Sequence, residues 1–193
     1  MNQLIYEFAT WLDTHSWSTQ LHESFYMYNL VESTHVLALM VSLGMLFLID
    51  LRMLGLAFVD IPATAIAHRL LLPMLIGFSV MIVTGLLLFY AIPVRTSQSL
   101  WFRIKVVLLI AAAVNAWLFH RRMQDADSSA GGSWDLAVKA PRRLQIGAAL
   151  SLSFWVLIVI CGRLIAYDWF DCRGEPSTFV STITGCVADQ TQF

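Results

Sequence analysis

Four stretches of the chain stay apolar long enough to cross a bilayer, at about Leu30–Ile49, Ile66–Ile92, Leu100–Phe119 and Leu144–Tyr167. Each reaches the roughly 20 residues that a spanning helix needs. They lack the two-residue alternation of barrel strands, so the predicted elements are helices at about 27–50, 64–92, 100–121 and 143–167. The segment ahead of them has a different pattern. Leu4, Ile5, Phe8, Trp11 and Leu12 recur at helical spacing, with Asn2, Glu7, Thr10 and Asp13 on the other side. That predicts an amphipathic helix within residues 1–24, lying at a membrane interface. It has neither the positive start nor the unbroken apolar run of a signal peptide. The fold class expected is therefore all-α: an integral membrane four-helix bundle with an N-terminal interfacial amphipathic helix. With no internal repeat, residues 1–193 read as a single transmembrane domain.

Composition agrees. Charged residues make up 13% of the chain, half the share of about a quarter in soluble domains, so lipid is the expected solvent. Lys and Arg set the orientation. Arg52, Arg69, Arg121, Arg122, Lys139, Arg142 and Arg143 collect on one side, against Arg95, Arg103 and Arg173 on the other. The richer side is expected in the cytoplasm. The N-terminus, the Pro93–Gln98 loop and the tail over 168–193 then face the periplasm of a bacterial inner membrane. The inner stretch "MQDADSSAGGSWDLAVKAP" is polar and Gly/Ser-rich and reads as a connector. In the tail, Cys172 and Cys186 bracket turn-forming residues, and an oxidising compartment would join them as a disulfide. Cys161, inside the fourth helix, reads as a small apolar residue.

Ionisable groups inside spans are expensive and generally partnered, so their depth matters. On the outer side, Glu32 and His35 lie in the first turns of helix one, three residues apart and so on a shared face. Lys105 and Arg163 fall at the same level of helices three and four. On the inner side, His68 opens helix two and His120 closes helix three. His35 and His120 should differ in depth by about 20 Å, which makes two polar layers. In helix two, Gly77, Met81 and Gly85 form a row, and small residues at that spacing let helices approach closely. Asn115 puts an amide mid-way along helix three, where it is expected to bond to another helix.

Haem b in a helical bundle needs inward imidazoles and cations for its propionates. His68 and His120 share a level and could ligate one iron. His35 could ligate another, with Lys105 or Arg163 as propionate partners and Glu32 beside it. A bland reading stands against this: Glu32 pairs with Lys105 or Arg163 to pin the bundle, His35 is a packing residue, and His68 and His120 are interfacial. Copper handling through His35 and Met81 is a further possibility, since soft donors favour Cu(I).

The motifs "VESTHVLALMVSLGMLFLIDLRMLGL", "HRLLLPMLIGFSVMIVTGLLLF", "WFRIKVVLLIAAAVNAWLFHRR" and "CGRLIAYD" resemble a family of bacterial four-helix inner-membrane proteins that brings no activity with it. More distantly, the helix-one His and the "W-F-x-x-K" entry to helix three are similar to copper-resistance D-type membrane domains and to HemJ-type protoporphyrinogen oxidase. That likeness implies a haem, porphyrin or copper site at the outer layer, with His35 and Lys105 as the functional pair. The function expected is thus a haem b-binding or redox-linked membrane component with an outer-side polar site. The alternatives are a copper-handling protein, or a non-catalytic subunit without cofactor. Its expected partners are the lipid bilayer, a periplasmic redox or metal protein, and further copies of itself. Nucleic acid is not among them, because the net charge is −1 and topology accounts for the basic residues. No Gly-rich phosphate loop or Ser elbow points to a soluble enzyme.

Overall fold

The computed structural model describes residues 2–130, 135, 137–167 and 178–184. The chain is all-α, with no strand among the described residues, and its four long apolar helices suit a helical membrane bundle. In chain order the helices are α1 (Asn2–Asp13), α2 (Ser16–Glu23), α3 (Met27–Leu54), α4 (Ala63–Ala91), α5 (Pro93–Ser97), α6 (Leu100–Ala130), α7 (Arg142–Ala166) and α8 (Thr178–Thr184). Four stretches within α3, α4, α6 and α7 are long and apolar enough to cross a membrane: Met27–Leu54, Ala63–Ala91, Leu100–Ala126 and Arg142–Ala166.

The arrangement of polarity is that of a protein solvated by lipid. Ser42, Asp50, Arg52, Thr84 and Asn115 are buried, while Leu37, Leu72, Leu86, Val107 and Ile110 are well exposed. In water that exchange would be ruinous. In a bilayer, polar groups must find partners inside the protein and apolar ones need none.

Three elements differ from the sequence expectation. The N-terminal amphipathic segment is two helices, α1 and α2, rather than one. The loop after α4 holds a short helix, α5, with proline in its first turn, where the missing N–H does no harm. And α6 runs on to Ala130 instead of ending near 121, because Met123 and Ala126 continue the apolar stripe of Phe119 onto the core. The tail disulfide between Cys172 and Cys186 lies outside the described residues.

The chain divides into two compact units. The first comprises Met1–His35, Ile82–Val107 and Ile158–Phe193. In it α1 packs on α5, and Ser18 on α2 donates to the Tyr90 carbonyl at 2.7 Å. Arg103 donates to the carbonyls of Ser97, Ile183 and Thr184. Its cation thus meets the open carbonyl end of α8, where the helix dipole favours it.

The second unit comprises Val36–Met81 and Leu108–Leu157. Its core gathers Ile49, Met53, Ala63, Ala140, Leu144 and Ala148. Helix α3 ends in a Schellman motif: Gly55 takes φ +72, its N–H bonds the Arg52 carbonyl, and the Leu56 N–H bonds that of Leu51. A side chain at Gly55 would also meet Val138 O and Lys139 Cγ at 2.7 Å. Beside this turn Arg52 is 1% exposed, and its guanidinium donates to the carbonyls of Ile61, Asp135, Ala137 and Val138. Asp135 in turn caps α4, accepting from Thr64 N at 2.8 Å and from Thr64 Oγ1 at 2.5 Å. So the first-turn donor that α4 leaves open is satisfied by a residue from a different part of the chain.

Candidate functional site

In the first unit, the side chains expected to form an outer site have separate neighbours. His35 is half-buried, and its Nδ1 lies 3.0 Å from Oγ1 of Thr84 on α4. Gly85 makes room for the ring, since a Cβ there would stand 3.2 Å from His35 Cε1. The helix-two glycine row therefore accommodates the imidazole. Lys105 is half-buried on α6, with its Nζ against Gly162 and its charge beside the buried Cys161. Arg163 is exposed on α7 and donates to the Tyr167 hydroxyl at 2.8 Å. Glu32 is exposed, with Tyr28 as its electrostatic neighbour.

The second unit holds a cavity of about 460 Å³, within the range of about 300–1,000 Å³ usual for ligand sites. His68 from α4 and His120 from α6 both line it, so the inner-layer histidines do share one space. Its walls are mainly apolar, with Leu46, Ile49, Leu71, Leu75 and Phe119 among them, and two thioethers, Met74 and Met123. The polar lining consists of the two imidazoles, Asp50, Asn115, Gln124 and Ser151. His120 Nε2 lies 3.1 Å from Gln124 Nε2, so the amide can donate to it. Asn115 spends its amide hydrogen on the Gly147 carbonyl at 2.9 Å, the interhelical bond its position predicted.

Asp50 is the residue that sequence reasoning missed. It is only 3% exposed, it takes a hydrogen bond from Ser151, and its Oδ2 has no partner among the described residues. In the sequence the first apolar stretch ends at Ile49, Asp50 is only the last residue of the predicted helix, and Arg52 reads as a flanking charge. The signal was present nonetheless. On a helix, residues two apart do not face each other, so Arg52 was never placed to neutralise Asp50.

Chemically, the cavity offers two nitrogen donors, two sulfur donors and one carboxylate in apolar surroundings. Among the described residues no three His, Cys, Asp or Glu side chains gather closely enough to hold a metal ion by themselves. A bound centre would have to bring further ligands of its own, as a porphyrin does, or use the thioethers. Comparison with family models, curated proteins and solved structures finds no match to this chain.

Proposed function

We propose that this chain is a redox-linked protein of the bacterial inner membrane that holds haem b in the cavity of its second unit, with His68 and His120 as the iron's protein ligands. One observation carries the reading: two imidazoles from different helices open on a single apolar cavity of cofactor size. Imidazole is a usual haem ligand, and an apolar pocket is what a porphyrin needs. Haem iron would supply one-electron exchange. The protein's part is to bind and orient the group. Arg69 and Arg122 follow the two histidines in the chain and suit the propionates. The basic loops face the cytoplasm in this reading, and the N-terminus and tail face the periplasm.

The test is a visible absorption spectrum of the detergent-purified protein, oxidised and dithionite-reduced. A reduced b-type spectrum is expected, and it should be lost in His68→Ala and His120→Ala while His35→Ala keeps it. A colourless protein from haem-replete cells overturns the haem reading. A second reading, copper handling, is favoured by one observation: Met74 and Met123 line the same cavity as the two histidines. Imidazole with thioether is a donor set for Cu(I). Metal analysis of a colourless preparation decides it.

A further inference from the structure

An ionised carboxylate in apolar surroundings is tolerated only when a cation or enough hydrogen-bond donors face it. Asp50 has one donor, Ser151, and its second oxygen is unpartnered among the described residues. The nearest cation in the chain is committed elsewhere, because the Arg52 guanidinium donates to four backbone carbonyls. Among the described residues no Lys or Arg lines the cavity. The remaining polar groups that face it are His68 from α4, His120, Gln124 and Asn115 from α6, and Ser151 from α7. Asn115 has committed a hydrogen to Gly147, and the two histidines are the ligands of the proposed centre.

The chain therefore places in the wall of an apolar cavity an acid that no cation lining that cavity neutralises, among the described residues. We infer that Asp50 is the counter-charge of this cavity, which makes the site one for a positively charged centre. The inference rests on the haem reading and deepens it. Porphyrin contributes two negative charges, so ferric iron with two neutral imidazoles leaves a core of net charge +1, and ferrous iron leaves none. A carboxylate in the same cavity stabilises the ferric core and has little to offer the ferrous one. Asp50 thereby selects the oxidised state and lowers the centre's reduction potential. Ser151 is a positioning residue that holds one carboxylate oxygen.

The experiment uses ferric protoporphyrin IX and, beside it, metal-free protoporphyrin IX, which has the same ring and no central charge. Both are titrated into the full-length protein purified from cells starved of haem. The variants are Asp50→Asn and Asp50→Ser, two neutral replacements of different size and hydrogen bonding, with Asp50→Glu as the charge-retaining control. The neutral variants are expected to bind ferric haem about tenfold more weakly, the loss for a bond to a charged group. Their affinity for the metal-free ring should be unchanged, the midpoint potential of bound haem should rise, and Asp50→Glu should restore both properties towards wild type. Neutral variants that bind haem with wild-type affinity and potential overturn the role of Asp50 and leave the haem reading intact. Equal losses for both porphyrins also overturn it, because they show a packing role. A wild type that takes up no ferric haem overturns the haem reading, and the inference with it.

Discussion

Arg52 shows how a buried charge can be held by backbone carbonyls. Its guanidinium is planar and presents five donors in a fixed fork, and four carbonyls from two loops meet that fork at 2.7–3.4 Å. Each carbonyl would otherwise be an unmade hydrogen bond, at about 1–3 kcal/mol. Removing the side chain should strip several partners at once. Arg52→Ala is expected to lower stability by at least about 3 kcal/mol, measured as loss of monodisperse protein on heating in detergent. Arg52→Lys should recover only part of this, because one ammonium cannot reach carbonyls spread around a fork. A lysine variant as stable as wild type would show that charge matters here and geometry does not. The same residue explains a limit of the sequence reading. A basic residue just past an apolar run signals orientation, and nothing local reveals that its donors are claimed by carbonyls more than eighty positions away.

At the scale of elements, close approach rather than hydrophobicity decides how α3 meets α4 in the second unit. A Cβ on Gly77 would stand well inside contact distance of Ser42 Oγ. Gly77→Ala should therefore destabilise the protein, despite alanine's better helix propensity of about 1 kcal/mol. Ser42→Ala in the same chain should relieve it, since Ser42 Cβ is 3.4 Å from the added atom. Melting curves of the two single variants and the double variant check this, and additive losses would refute the contact. The four long helices were legible because lipid demands unbroken apolar runs. The Gly77 contact was legible too, because small residues at four-residue spacing have few other uses in a span. The grouping of Glu32 with His35 was not. Three residues advance a helix by 300°, and the remaining 60° separates a half-buried ring on Thr84 from an exposed carboxylate.

Over the whole molecule, buried polar groups and exposed apolar ones make the bilayer the main stabilising solvent. The proposed orientation carries its own check. A membrane-impermeant thiol reagent applied to intact cells should find Cys172 and Cys186 blocked until a reductant is added. Free thiols reached only after the cells are opened would reverse the topology. The bonding of Arg52 and Thr64 to Asp135 also bears on how the protein is made. Thr64 and the carboxylate that caps it are 71 positions apart, and Arg52 waits longer for Asp135 and Ala137. At about 5–20 residues per second, a ribosome needs several seconds to deliver those partners. For that interval the first helical hairpin has its guanidinium held only by the Ile61 carbonyl and the first turn of α4 without its Asp135 cap, and it has to be kept from both aggregation and proteolysis. Nascent chains arrested before residue 135 should accordingly be the stage at which membrane quality control acts on this protein.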